Sequence, residues 1–131
     1  MHTSTGQFCF TDANQESGWA FLRCDEQIAR YYLRSFGQYQ LGINGCHITV
    51  ISKYDLADMS KFEKYVGRHY EFQYDGTIYT NGRAYWLDCY CSEWNSIRLE
   101  NGLAERKLHL TLGNIKYNRI KDANDTRKSQ F

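Results

Sequence analysis

Two stretches of this chain read as the same short supersecondary unit, and few folds can accommodate that duplication. Phe21-Leu22-Arg23-Cys24 and Trp86-Leu87-Asp88-Cys89 each end a strand, precede a helix cap and lead to a second strand. Those second strands begin His47-Ile48-Thr49-Val50 and His109-Leu110-Thr111-Leu112. A repeated strand-helix-strand unit buries its apolar faces by pairing with its copy, so the chain is expected to be an α+β domain with an approximate internal two-fold.

Local signals place the elements. Trp19 to Arg23 reads as a strand, Asp25 as the cap of a helix running to Phe36 with Gly37 at its end, and His47 to Ile51 as a strand after the Gly-rich loop Leu41 to Cys46. Ser60 followed by Glu63 predicts a second helix, with Met59, Phe62, Tyr65 and Val66 on its buried stripe. Tyr70, Phe72 and Tyr74 alternate with polar residues as in a half-buried strand. Asp75-Gly76 reads as a turn or bulge, and Asn81-Gly82 as a hairpin turn into the strand Arg83 to Cys91. Ser92 caps a third helix closed by Gly102, and a last strand runs from Lys107 to Leu112. Residues 1–17 are expected to form an arm or edge strand, and the tail 118–131 to be polar and frayed.

At 131 residues the chain fits one domain spanning 1–131, with no room for a separate cofactor module. Its 16 Lys and Arg against 15 Asp and Glu leave a net charge of +1, too little to gather long nucleic acid without regard to sequence. No apolar run approaches the roughly 20 residues that span a bilayer. The start carries no basic stretch followed by an apolar block, so a cytoplasmic monomer that does not engage membranes is expected. The five cysteines include no C-x-x-C pair and read as reduced structural thiols.

The two His-x-Thr motifs carry the chemistry. Residues i and i+2 of a strand share a face roughly 7 Å apart, so an imidazole and a hydroxyl can touch one phosphate-sized group together. Imidazole titrates near pH 6.5 and can act as base in one state and acid in the other. His47 and His109 are therefore candidate catalytic residues: one takes a proton from the attacking water or hydroxyl, and the other gives one to the leaving oxygen. Thr49 and Thr111 would donate hydrogen bonds to the non-bridging oxygens, where charge grows in the transition state. Such a site needs no cofactor and no metal. The chain has no H-x-x-x-H or H-E-x-x-H pair and no tight carboxylate cluster.

With these motifs, the chain resembles the 2H phosphoesterase superfamily, which carries two H-x-[ST]-x motifs on a bilobal α+β fold. The likeness covers about residues 18 to 116. Cys91-Ser92-Glu93-Trp94, Ile97-Arg98, Asn101-Gly102-Leu103 and His109-Leu110-Thr111-Leu112-Gly113 look like the branch called Swiss Army Knife. The resemblance implies two pseudo-symmetric halves with antiparallel sheets around a central cleft. It also implies metal-independent hydrolysis of 2',3'-cyclic phosphates, 2',5'-linked oligonucleotides or related cyclic nucleotides. The chain is shorter than many members and lacks the long insertions that shape their RNA grooves, so a small nucleotide or oligonucleotide is the expected partner rather than a long duplex. Narrower alternatives are a phage or viral anti-defence enzyme that degrades a cyclic oligonucleotide immune signal, and a non-catalytic module that binds a nucleotide or RNA end.

Three further residues are candidates for substrate binding. Lys53 and Lys116 follow the two motifs at similar offsets, where they would neutralise a second phosphate or simply remain solvated. Tyr54 is placed to stack on a base at the rim or to pack. Trp86 is expected in the core as the counterpart of Phe21, and His2 and His69 are given no role.

Overall fold

The computed structural model describes residues 1–10, 16–36, 39–42 and 44–115. Gly37, Lys116 and the tail 118–131 lie outside the described residues, as does the 11–15 stretch of the expected arm. The strands are β1 (His2–Cys9), β2 (Ala20–Cys24), β3 (Tyr39–Gln40), β4 (His47–Ile51), β5 (His69–Thr80), β6 (Ala84–Tyr90) and β7 (Leu108–Ile115). Two α-helices, α1 (Glu26–Leu33) and α2 (Ser92–Glu100), follow β2 and β6, and 3-10 turns cover Lys53–Asp55 and Met59–Tyr65. None of these helices is long and apolar enough to cross a membrane.

The α+β class and the antiparallel pairing are as expected. All seven strands belong to one sheet of order β3-β7-β4-β2-β1-β5-β6, and a further pairing of β7 with β6 closes six of them into a ring. The repeat is present in that ring as β2–α1–β4 and β6–α2–β7, each a strand, a helix and an antiparallel return strand. β4 and β7 are hydrogen-bonded neighbours, so the two motif strands meet directly.

β1 departs from expectation. It is neither an arm nor an edge: it pairs with β2 on one side and β5 on the other, joining the two halves opposite the β4–β7 seam. Its polar composition conceals this, because only alternate residues face the core. Gly6 and Phe8 are buried, while Thr5 and Gln7 are exposed. A Cβ on Gly6 would stand 2.9 Å from that of Leu22, so the strands approach more closely than any larger residue permits.

α1 starts where Asp25 accepts a hydrogen bond from the Gln27 N–H, and buries Ala29 and Leu33, four residues apart. It stops at Leu33 rather than Phe36, and Phe36 tilts onto Tyr85 at 4.8 Å. The predicted middle helix is a 3-10 segment, capped by Asp58 instead of Ser60. Met59, Phe62 and Tyr65 recur at intervals of three, the period of a 3-10 helix, and all three are buried while Val66 is exposed. The Asp75-Gly76 signal marks a register shift between Tyr74 and Ile78, and the Asn81-Gly82 turn forms with Gly82 at φ 88°.

The core lies between the sheet and the helices. Phe8, Leu22, Ile48, Val50, Leu87, Leu110 and Leu112 are fully buried. Trp94 of α2 stacks on Phe8 at 4.5 Å and meets Phe62, Tyr65 and Tyr70 edge-on or stacked, which brings α2, the 3-10 segment and β1 into one aromatic cluster.

Arg98 of α2, only 3% exposed, binds this assembly together. Its guanidinium donates to both carboxylate oxygens of Asp55, at 2.9 and 3.0 Å, and to the carbonyls of Val50 and Ala104, each at 2.8 Å. These contacts connect the end of β4 with the loop that leads to β7. Asp55 in turn accepts from the Ser52 N–H at 2.9 Å. The Arg98 hydrogen bonds hold the Asp55 carboxyl below its ordinary range.

Removing one partner of a buried pair strands the other, so Arg98→Ala should lower unfolding free energy by about 3–5 kcal/mol, measured by chemical denaturation. Because the folded carboxyl is depressed, its contribution is complete above the ordinary carboxylate pKa and should fade as pH drops below about 4. Asp55→Asn should flatten that acid limb.

Candidate active site

The site is assembled by strand register. His47 lies opposite Thr111, and Ile48 opposite Leu110. Continued one step, the same antiparallel register sets Thr49 against His109. Opposed residues point to the same side of a sheet, so all four motif side chains share one face, while Ile48, Val50, Leu110 and Leu112 fill the core behind. His47 and His109 are diagonal neighbours across the seam, a relation that spaces side-chain origins by about 7–8 Å.

The flanking strands complete the face. Arg23 is opposite His47 and Phe21 opposite Thr49; on the other side Asp88 is opposite His109 and Trp86 opposite Thr111. Across β2, β4, β7 and β6 the side chains therefore form two rows, Phe21-Thr49-His109-Asp88 and Arg23-His47-Thr111-Trp86. A local two-fold at the Ile48–Leu110 pair exchanges the rows. It relates His47 to His109, Thr49 to Thr111, Phe21 to Trp86 and Arg23 to Asp88.

Each imidazole rests against the aromatic ring of its own half. Phe21 meets His47 edge-on at 5.7 Å, and Trp86 stacks on His109 at 5.5 Å with 20° between the planes. Trp86 thus remains the structural counterpart of Phe21, but it is half-buried on the motif face and not in the core. Tyr79 stacks on Trp86 at 6.2 Å and extends the row of rings.

The two histidines differ in their polar surroundings. His47 Nδ1 is 2.8 Å from the Gly45 carbonyl, and since a carbonyl only accepts, Nδ1 carries the proton and Nε2 of the neutral ring is left with its lone pair. Burial holds this imidazole below the ordinary histidine range, opposed by the Gly45 hydrogen bond. The side chain of His109 is 47% exposed, and its Nε2 stands 3.9 Å from Asp88 Oδ1. Asp88 also faces Lys107, whose Nζ lies 3.3 Å from Oδ2. Partial burial, with Lys107 and Arg106, holds the His109 imidazole below the ordinary histidine range, and Asp88 opposes this only in part.

Lys53 and Tyr54 occupy the 3-10 turn after β4, next to the start of β7. Tyr54 is 78% exposed, with Trp19 edge-on at 6.5 Å and the Lys53 ammonium 5.2 Å from its ring centre. The aromatic face is therefore largely open at the edge of the assembly. The cysteines are free thiols: Cys24, Cys46, Cys89 and Cys91 are buried and Cys9 partly so. Burial pushes the Cys46 thiol up to about 12 and the Cys24 and Cys89 thiols higher still. Among the described residues, no three His, Cys, Asp or Glu side chains gather as metal ligands.

Arg23, Asp88, Phe21 and Trp86 join the face without having been singled out for it. The signal that finds them is the aligned pair Phe21-x-Arg23 and Trp86-x-Asp88, since period two puts both residues of each pair on one side of a strand.

With its pKa depressed by burial, His47 is neutral at pH 7. Below about pH 6.5 the unfolded chain binds a proton that the folded ring resists, so stability should fall as pH drops through that range. The C2–H resonance of His47 should titrate with a midpoint below 6.5, and His47→Gln should reduce the loss of stability between about pH 6.5 and 5. No protein-family model, curated protein or solved structure matches this chain.

Proposed function

We propose that the chain is a metal-independent phosphodiesterase that hydrolyses a small cyclic or 2',5'-linked nucleotide phosphodiester by two-histidine acid–base catalysis. The observation that carries this reading is the seam between β4 and β7, where register sets His47 against Thr111 and the two His-x-Thr motifs share the face opposite the core residues Ile48 and Leu110. One imidazole takes the proton of the attacking oxygen while the other protonates the leaving oxygen. Thr49 and Thr111 donate to the non-bridging oxygens as charge builds on them. Arg23, exposed beside His47, adds a fixed positive charge to the same face.

On this reading the closed ring is a compact form of the bilobal 2H scaffold, each strand-helix-strand unit serving as one lobe. The enzyme acts as a cytoplasmic monomer. Tyr54 and Lys53 border the substrate at the β7 end, where an open aromatic face and a cation suit a nucleobase and a second phosphate.

Hydrolysis of a nucleoside 2',3'-cyclic phosphate or a 2',5'-linked dinucleotide should persist in EDTA and depend on pH as a bell. His47→Ala and His109→Ala should each reduce turnover by at least about 10². Undiminished turnover in both variants would refute the assignment, and ligand retained without product on prolonged incubation would favour a sequestering module instead.

A further inference from the structure

The local two-fold relates the histidines, threonines and aromatic rings to residues of like chemistry, but it relates Arg23 to Asp88. Two strands in equivalent positions therefore bring opposite charges beside two equivalent imidazoles. Arg23 stands opposite His47 and Asp88 opposite His109. A cation disfavours protonation of its neighbour and a carboxylate favours it.

We propose that Asp88 is a positioning residue that holds His109 as the proton donor of the reaction, and that the exchange of Arg23 for Asp88 across the two-fold fixes the direction of proton flow. The inference rests on the phosphodiesterase reading above and deepens it. Water attacks phosphorus, His47 Nε2 takes a proton from that water, the phosphorus–oxygen bond to the leaving group breaks, and His109 delivers its proton to the departing oxygen. The sum is one water added across one P–O bond. The protons then re-equilibrate with solvent, which takes one from His47 and returns one to His109.

The surroundings of each ring support this direction. The Gly45 carbonyl binds Nδ1 of His47 and leaves Nε2 as an acceptor. Glu26 borders Gly45, and the charged residue opposite His47 is Arg23. His109 has Asp88 on β6, Lys107 two residues before it on its own strand approach, Arg106 beyond, and on β4 the neutral Thr49 and the diagonal His47. At 3.9 Å the Asp88–His109 contact is longer than a hydrogen bond, so it acts on the charge of the protonated ring rather than by binding the proton. Trp86 stacks on that ring with 20° between the planes, which orients it beside the carboxylate.

Leaving-group dependence tests the assignment. A nucleoside 2',3'-cyclic phosphate expels an alkoxide that must be protonated, whereas a nucleoside 4-nitrophenyl phosphodiester expels a phenolate that leaves without help. His109→Ala should lose most of its activity on the cyclic phosphate and much less on the nitrophenyl ester, while His47→Ala should lose activity on both. Asp88→Asn should cut cyclic phosphate turnover about tenfold, with the alkaline limb of the pH profile moving to lower pH and the acid limb unmoved. The converse pattern, with His47→Ala spared on the nitrophenyl ester or the acid limb shifted by Asp88→Asn, overturns the assignment. An NMR titration reads the same coupling without turnover: Asp88→Asn should lower the midpoint of His109 and leave that of His47 in place. Failure of that shift sinks the role of Asp88. Absence of cleavage by the unaltered protein, with the shift present, would sink the phosphodiesterase reading.

Discussion

A single buried guanidinium holds the two halves of this molecule in register. Arg98 reaches from α2 to the backbone just after Thr49, to the carboxylate of Asp55 and to the loop that feeds His109. Each of its contacts is charge-assisted or saturates a carbonyl that would otherwise face an apolar interior. The relative placement of the two motifs depends on β4 and β7 meeting with no slip, because a shift of one residue would send the histidines to the core side. The β4–β7 hydrogen bonds set that register at the seam, and Arg98 ties the end of β4 to the loop that leads into β7.

On the open face, a symmetric scaffold carries an asymmetric charge pattern. Duplication explains why two imidazoles, two hydroxyls and two aromatic rings occupy related positions. It does not explain Arg23 against Asp88, which gives the two sides opposite charges. The rings beside the histidines contribute order: Phe21 and Trp86 narrow the directions each imidazole can take, so the polar neighbours act on a ring of defined orientation.

Much of this arrangement was legible in the chain before any coordinates. The strand His47–Ile51 matched to the residue, as did the alternation in Tyr70, Phe72 and Tyr74 and the turn at Asn81-Gly82, since period and turn chemistry are local properties. The shared face of the two motifs follows from period two, but their adjacency does not, because register between distant strands is set by long-range packing. Trp86 was misread for the same reason: an aromatic residue on a strand looks alike whether it faces the core or a functional surface. The Met59–Tyr65 segment was taken for an α-helix because three- and four-residue spacings coincide over one turn, and only the third repeat at Tyr65 separates them. The polar Thr3, Thr5 and Gln7 give β1 the look of an arm or edge strand, and its pairing on both sides is a long-range property that they do not show.

That first strand has a consequence for how the chain can be cut or joined. Six strands form a closed circuit, and β1 is the link that closes it on the side away from the β4–β7 seam. Any version of the protein begun after Cys9 would leave one long flank of β2 and another of β5 bare, two unsatisfied ladders able to recruit strands from other molecules. Removing those unassuming polar residues would open the circuit itself.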